Sequence, residues 1–275
     1  MSLLCADIGN SHTVLGLLDP AVEPGAPGQV LADWRVGTDA RRTADEWAVL
    51  LRGLLAGAPG APGAPGGPAA DAVSGVAVCA TVPTVLHEWR DMLARHFPDV
   101  PHVVVEPGVR TGVPVLTDNP REVGSDRIVN ALAAATLHGG PAIVVDFGGT
   151  ATTFDVVSAR GQYVGGAISP GIEISLEALG RRGAQLRTVE LLRPRSVIAK
   201  NTVEALQSGM LFGVAASVEG IVSRMVSELG AETDTVTVVA TGYLSDLVVA
   251  ECSCFTHHDP WLTLRGLALV HARNR

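Results

Sequence analysis

Apolar and polar residues alternate along residues 3–18 in a way that predicts two β-strands. Residues 3–6 are apolar and end on Asp7, the polar turn Ile-Gly-Asn-Ser-His-Thr follows, and residues 14–18 are apolar again. A period of two that is interrupted by a glycine-containing turn is typical of a hairpin. We therefore predict a hairpin whose first strand ends on an acidic residue.

The same layout returns 139 positions later (146 − 7 = 139), and this repeat predicts a duplicated domain. Residues 142–145 are apolar, Asp146 ends the strand, and Gly148-Gly149 begin a turn rich in threonine. A spacing this long is unsuited to a solenoid. Glycines let a bulky polar group approach the backbone, and a terminal acid can hold a cation, so each hairpin is a candidate half of a phosphate site. For either stretch alone, an ordinary hairpin is the alternative.

The remaining pattern alternates between strand and helix and indicates the α/β class. Thr43 and Glu46 have the form of a capping box, which predicts the start of a helix that runs to about Leu55. The other predicted strands cover residues 31–36, 73–80, 103–105, 161–168 and 235–240, and the other predicted helices cover 83–97, 125–137, 172–179, 203–211, 218–229 and 261–272.

The length of 275 residues favours two domains. We place them at residues 1–116 and 117–275, and we expect the closing helix to pack back on the first domain. The stretch 56–70 is rich in Gly, Pro and Ala, which predicts a mobile surface loop without catalytic residues.

Charge and hydropathy exclude some classes of partner. The net charge is −8 and basic residues form only short pairs, which argues against nucleic acid as the main partner. No basic segment precedes Asp7, and no run reaches the ~18 apolar residues of a membrane span. We expect a cytoplasmic protein with no membrane partner.

Several motifs, in this order along the chain, resemble the type III pantothenate kinase family of the actin-like, acetate and sugar kinase superfamily. They are the paired Asp-x-Gly loops, the Gly-Ser-Asp-Arg segment at 124–127, the Gly-Gly-Ala-Ile-Ser-Pro-Gly run at 165–171 and the Lys-Asn-Thr loop at 200–202. The similarity spans nearly the whole chain. It implies an α/β fold of two actin-like (ribonuclease H-like) domains, with mixed sheets flanked by helices and a nucleotide cleft between them.

The resemblance also implies an activity. Members of the family transfer phosphate from ATP to pantothenate and form 4′-phosphopantothenate, the first step of coenzyme A synthesis. The implied cofactors are ATP, Mg²⁺ and a monovalent cation, K⁺ or NH₄⁺. The implied partners are pantothenate and a second copy of the chain in a homodimer.

The roles carried over by position are as follows. Asp126 is the implied general base, and a plain helix N-terminal cap is the alternative for this residue. The implied metal ligands are Asp146 for the monovalent cation and Asp7 for Mg²⁺ through the phosphates. The implied ATP contacts are Asp7, Ile8, Gly9, Asn10, Ser11, His12, Thr13, Val14, Gly149, Thr150, Thr241 and Gly242. The implied substrate contacts are Gly124, Ser125, Asp126, Arg127, Thr202 and Thr117.

Several positions depart from the pattern of the family, and two of them concern the second phosphate loop and the adenosine motif. The second loop has two glycines where one is usual, which puts Thr150 one residue farther from Asp146, and Tyr243 follows Thr241-Gly242 where a further glycine is usual. These departures motivate two alternatives. One is a catalytically weak or inactive relative with a regulatory or scaffold role, and the other is a kinase of the same superfamily with another small substrate.

Overall fold

The structure is a computed structural model that describes residues 2–19, 28–58, 73–182, 189–230 and 235–275. The predicted loop 56–70 lies outside the described residues from residue 59 onward. In chain order the elements are β1 (Ser2–Ile8), β2 (His12–Leu18), β3 (Val30–Gly37), α1 (Ala44–Ala56), β4 (Val73–Ala80), α2 (Pro83–His96), β5 (His102–Val104), α3 (Ser125–Leu137), β6 (Ala142–Phe147), β7 (Ala151–Val157), β8 (Tyr163–Pro170), α4 (Ile172–Arg182), α5 (Thr202–Glu228), β9 (Thr237–Thr241), α6 (Ser245–Val249), β10 (His257–His258) and α7 (Leu262–Arg273).

The chain forms two compact units. Unit 1 contains Met1–Val113, Asn119–Ala133 and Thr263–Arg275, and unit 2 contains Pro114–Asp118 and Ala134–Leu262. The segment that carries Asp126 therefore packs with unit 1, although it follows the boundary expected at residue 116. Almost all of α7 also belongs to unit 1.

Each unit contains a five-stranded mixed sheet, and the two sheets have the same topology. The strand order is β3-β2-β1-β4-β5 in unit 1 and β8-β7-β6-β9-β10 in unit 2. In both sheets the first three strands of the unit form an antiparallel meander, and the last two join parallel to the first strand. Helices flank the sheets, so the α/β class predicted from the strand and helix patterns is confirmed.

The strand register shows that the two hairpins are equivalent. Asp7 pairs with Val14 in the first hairpin, and Asp146 pairs with Thr153 in the second. A register shift follows at Leu17/Leu18 in the first copy and at Val156/Val157 in the second, which is again 139 positions later (156 − 17 = 139). Agreement down to a β-bulge supports duplication of one unit.

The core of unit 1 forms where α1 and α2 cover the sheet. Trp47 and Trp89 are fully buried, and their ring centroids lie 5.4 Å apart. The predicted capping box at the start of α1 is confirmed: the Thr43 side chain accepts from the Glu46 amide, and the Glu46 carboxylate accepts from the Thr43 amide. The start of α1 is thus specified locally.

The prediction of two helices at 203–211 and 218–229 is wrong, because α5 is one helix of 27 residues. The intervening residues 212–217 include Gly213, which a helix tolerates when neighbouring residues pack well. Leu211, Ala215 and Val218 are buried on one face and join the core of unit 2. Tertiary packing on this face continues the helix through a sequence with weak periodicity.

In length and composition, α5 alone among the described helices could cross a membrane; an 18-residue window has a mean hydropathy of 1.4. One such helix is weak evidence for a membrane span, since core helices have the same composition. A third (33%) of this window is buried, and the buried apolar residues of α5 belong to the same hydrophobic cluster as Ile143, Val145 and Phe154 of the sheet. We therefore interpret α5 as a helix that packs one face on the sheet of unit 2.

The histidine pair His257-His258 forms the short strand β10. Both residues are exposed and pair in parallel with Val239 and Ala240 of β9. A strand of two residues is too short to show an alternating pattern in the sequence. It is recognised only by its pairing with β9.

Candidate active site

The first loop lies in unit 1 at the carboxyl end of β1. Gly9 donates its amide to the carbonyl of His12 at 3.0 Å, and a Cβ on Gly9 would lie 3.0 Å from that oxygen. A glycine therefore fits this tight turn better than any other residue. Asn10 and Ser11 are exposed at the tip of the turn, where a ligand can reach them.

The flanking residues of this loop are held in the fold. Ile8 is fully buried, and its carbonyl accepts from the Thr81 amide at 2.9 Å. The Thr13 hydroxyl is also buried and shares a hydrogen bond with the Thr38 hydroxyl at 2.9 Å. His12 and Val14 are half-buried at the start of β2. The tip of the loop is thus exposed on a rigid base.

Asp7 lies beside β4, the parallel neighbour of β1. It pairs in register with Cys79, and the Cys79 thiol donates to the Asp7 carboxylate over 3.3 Å between Sγ and Oδ1. An oxygen donor at the end of a strand next to an exposed turn suits Mg²⁺ bound to phosphates. Asp7 would hold this ion through the nucleotide.

Asp126 lies in the first turn of α3, next to the same end of the sheet. The Ser125 hydroxyl attaches the start of α3 to β4 through the amide and the carbonyl of Ala80, at 3.2 and 3.3 Å. The negative charges of Asp7 and Asp126 both act on the Cys79 thiol. The tertiary structure thus brings Asp7, Cys79 and Asp126 together within unit 1.

The surroundings of Asp126 favour a reactive carboxylate. Its Oδ1 is buried and has no hydrogen-bond partner in the structure, and a Cβ on Gly124 would lie 2.4 Å from that atom. Burial raises the pKa of Asp126, whereas the backbone amide and the charge of Arg127 lower it. Burial is the larger effect, so the carboxyl has a pKa above its usual range.

The second loop lies in unit 2 and is as long as the first. Phe147 pairs with Thr152 as Ile8 pairs with Thr13, so that Gly149 and Thr150 stand at the positions of Asn10 and Ser11. A Cβ on Gly148 would lie 2.9 Å from the Ala151 carbonyl, which repeats the tight turn at Gly9. The second glycine therefore makes this loop equal in length to the first.

Gly149 is buried against two side chains of unit 2, and Thr150 is exposed. A Cβ on Gly149 would lie 2.2 Å from the Tyr243 hydroxyl and 2.3 Å from the Glu173 carboxylate. The carbonyl of Gly149 accepts from the Ile174 amide in the first turn of α4, at 3.2 Å. Gly149 thus leaves room for Tyr243 and Glu173, and the loop is fixed to the start of α4.

Asp146 lies against the turn that contains Gly242. Gly242 has φ +89°, and a Cβ there would lie 2.5 Å from Asp146 Oδ1 and 2.7 Å from the Phe147 carbonyl. Thr241 pairs in register with Asp146, and its hydroxyl is buried without a hydrogen-bond partner. Carboxylate, carbonyl and hydroxyl oxygens are hard ligands that suit an alkali cation, so these residues fit the expected monovalent ion.

The two remaining predicted substrate contacts lie in unit 2. Thr202 is exposed in the first turn of α5, and Asn201 caps this helix by accepting from the Glu204 amide at 2.9 Å. The Thr117 hydroxyl is buried and has no hydrogen-bond partner.

The sequence did not point to Cys79 and Glu173 as parts of the site. The apolar run around Cys79 suggested only a buried thiol, and Glu173 looks like an ordinary acid in the first turn of a helix. The available signal for Cys79 was its place at the end of a strand parallel to the strand of Asp7. The pairing of these strands is a long-range feature.

Solved structures with the same fold define the class of the protein. A Baf-family protein from Campylobacter jejuni has a TM-score of 0.56 at 17% identity and covers 97% of this chain and 96% of its own. The activator of 2-hydroxyisocaproyl-CoA dehydratase from Clostridium difficile, solved with ADPNP, has a TM-score of 0.53 at 14% identity, with coverage of 100% and 94%. Identities this low establish the fold alone, which is the two-domain actin-like fold.

Sequence comparison gives the family. The sequence model of type III pantothenate kinase matches residues 3–224. The type III pantothenate kinase of Nocardioides sp. strain JS614 is 73% identical over 274 residues, with 100% of both chains covered. That of Streptomyces griseus is 60% identical over 272 residues and covers 99% of this chain and 98% of its own. The chain belongs to the type III pantothenate kinase family.

Proposed function

We propose that the protein transfers the γ-phosphate of ATP to the primary hydroxyl of pantothenate and forms ADP and 4′-phosphopantothenate, which opens coenzyme A synthesis. Family membership supports this reaction. The observation in the fold that carries the proposal is the buried Oδ1 of Asp126, which has no hydrogen-bond partner, in a carboxylate whose charge acts on the same thiol as that of Asp7.

Asp126 acts as the general base. Its Oδ1 accepts the proton of the hydroxyl while the hydroxyl oxygen attacks the γ-phosphorus. A raised pKa makes the ionised form of this carboxylate a better proton acceptor. The Arg127 charge next to it would orient the carboxylate of pantothenate, together with Gly124, Ser125, Thr117 and Thr202.

The two loops hold the phosphates of ATP. Asn10 and Ser11 in the first loop, and Thr150 in the second, are exposed polar residues at equivalent turn positions. When bound, Mg²⁺ and the monovalent ion neutralise charge on the phosphates. Asp7 would hold the first ion through the nucleotide, and Asp146 would hold the second with Thr241 and Gly242.

A cytoplasmic homodimer is part of the proposal. Ten of the eleven large apolar side chains that are exposed among the described residues belong to unit 2. Exposed apolar surface concentrated in this way is typical of a subunit interface. All four cysteines are free thiols, which suits the reducing cytoplasm.

The test is the production of ADP by the purified protein with ATP and Mg²⁺, with and without pantothenate and with and without K⁺. We expect turnover that requires pantothenate and increases with K⁺. Asp126→Asn keeps the shape of the side chain and removes the base, so we expect the rate to fall by a factor of about 10² to 10⁴. Asp99→Asn, an exposed acid of the same unit, is the matched control and should retain the rate of the wild type.

Three other outcomes would contradict the proposed reaction. Turnover by the wild type no higher than that of Asp126→Asn would refute the kinase activity. ATP binding without turnover would favour a regulatory protein, and turnover only with another small alcohol would favour a different kinase of the superfamily.

A further inference from the structure

Cys79 is a buried thiol that is affected by the charges of two carboxylates, Asp7 and Asp126, which have different tasks in the proposed reaction. It is the penultimate residue of β4 and lies in register with Asp7, the penultimate residue of β1. Its side chain is fully buried. A buried polar group in contact with a carboxylate needs a defined hydrogen bond, because the surrounding apolar residues offer none.

The thiol of Cys79 can donate one hydrogen bond, and it donates this bond to Asp7. The Sγ of Cys79 lies 3.3 Å from Asp7 Oδ1, which is within the range of a hydrogen bond donated by sulfur. Asp126 is close enough for its charge to act on the same thiol, yet its buried Oδ1 receives no hydrogen bond. One carboxylate is therefore held by the thiol, and the other keeps an oxygen that can accept a proton.

A role as a nucleophile does not suit this cysteine. The thiolate is the reactive form, and burial together with the neighbouring carboxylates raises the pKa of Cys79 well above its usual range.

We propose that Cys79 is a positioning residue, which holds the carboxylate of Asp7 in the orientation that binds the magnesium–nucleotide complex and leaves Oδ1 of Asp126 without a donor. The inference rests on the proposed function, since it takes Asp7 as the carboxylate that faces Mg²⁺. In many active sites, two carboxylates have different roles because their burial and hydrogen bonding differ.

The test compares the binding of ADP with and without Mg²⁺ by isothermal titration calorimetry, which does not depend on turnover. Cys79→Ala removes the thiol that donates to Asp7 Oδ1. Loss of one intramolecular hydrogen bond changes an equilibrium constant by a factor of roughly 5, so we expect Cys79→Ala to weaken Mg·ADP binding about 5-fold and Mg-free ADP binding by less than about 2-fold. Cys79→Ser retains a donor of similar size and should restore Mg·ADP binding to within about 2-fold of the wild type.

Cys5→Ala is the matched control. Cys5 is also fully buried in the sheet of unit 1, so its substitution removes a similar volume and a thiol without removing the bond to Asp7. We expect it to leave both affinities unchanged. Thermal unfolding of each variant reports on folding, and Cys79→Val, which also lacks a donor, replaces Cys79→Ala if that variant is unfolded.

Kinetics provide a second measurement. We expect Cys79→Ala to raise the KM for Mg·ATP and to leave the KM for pantothenate unchanged. Equal Mg·ADP affinities in Cys79→Ala and the wild type, or a failure of Cys79→Ser to restore a lost affinity, would overturn the inference. A wild type that binds Mg·ADP but does not phosphorylate pantothenate would instead refute the proposed function.

Discussion

The carboxylate of Asp126 combines burial with a proposed role that requires charge. Burial favours the neutral acid, whereas a base has to be ionised to accept a proton. The amide and the charge of Arg127 lower the pKa of this carboxyl and thus offset part of the effect of burial. A residue of this kind is expected to improve the reaction at some expense of stability.

Replacing Asp126 by Asn should stabilise the folded protein near neutral pH. The pKa of Asp126 is raised on folding, so its contribution to stability is fully present below the pKa of the unfolded chain and is lost as pH rises through the folded pKa. Asn carries no charge and avoids this loss. We expect a melting temperature about 2–4 °C above that of the wild type at pH 7.5.

Scanning calorimetry at pH 7.5 and near pH 4 measures this effect, and the difference should shrink at the lower pH. The control is Asp99→Asn, whose side chain is exposed and which should change the melting temperature little. An Asp126→Asn variant that is less stable than the wild type at pH 7.5 would show that the hydrogen bonds of the carboxylate outweigh its burial.

Gly242 should be the least replaceable glycine of the second unit. It combines positive φ with close approach to Asp146 and Phe147, whereas Gly139 has φ +82° and open space around the position of a Cβ. Gly139→Ala has only the backbone cost of about 1–2 kcal/mol. Gly242→Ala adds a clash, and we expect a total loss of about 3 kcal/mol or more in the free energy of unfolding.

Urea denaturation of both variants measures the difference. Because the clash involves Asp146, Gly242→Ala should also reduce stimulation by K⁺, and Gly139→Ala should not. Equal losses of stability in the two variants would mean that the turn moves away from Asp146 at little cost.

The helices differ in how far residues nearby in sequence determine where they begin and end. The start of α1 is set by a capping box within four residues, whereas α2 begins at Val82 without a side-chain cap. The continuous α5 depends on the sheet of unit 2 that it covers. Local signals therefore predicted α1 closely and divided α5 in two.

Removing the cap of α1 should have a measurable effect. Thr43→Ala deletes the side chain that accepts from the Glu46 amide, and we expect the free energy of unfolding to fall by about 1 kcal/mol. The control is Thr84→Ala, an exposed threonine in the first turn of α2, which should be nearly neutral. Chemical denaturation distinguishes the two, and equal effects would contradict a capping contribution.

Seen as a whole, the molecule is two copies of one sheet topology with unequal surfaces. Exposed apolar side chains are concentrated in unit 2, and Ile198 is the most exposed of them at 83%. In unit 1, Val49 on α1 is also 71% exposed. This asymmetry supports the proposal that a second copy of the chain covers part of unit 2.

We expect sedimentation to give the mass of two subunits, and Ile198→Glu to shift the equilibrium towards the monomer, because a charge buried without a partner opposes association. Val49→Glu introduces the same charge at a similarly exposed position of unit 1 and should leave the dimer intact. A wild type that sediments as a monomer, or dissociation by Val49→Glu as well, would argue against this interface.

Most of the fold could be predicted from local patterns. Both hairpins, their terminal acids, the capping box and the helix at residues 125–137 follow from periodicity, glycine and side-chain caps, which act over a few residues. The short parallel strand β10 and the continuity of α5 could not be predicted, because they depend on neighbours distant in sequence.

The sequence by itself determined the repeat, the candidate base Asp126 and the family resemblance, since motifs and their order are properties of the chain. Only the tertiary structure decided that Cys79 donates to Asp7, that Asp126 Oδ1 is buried without a partner and that Gly149 makes room for Tyr243 and Glu173. The physical reason is that hydrogen bonding, burial and steric room depend on residues that folding brings together from separate strands and helices.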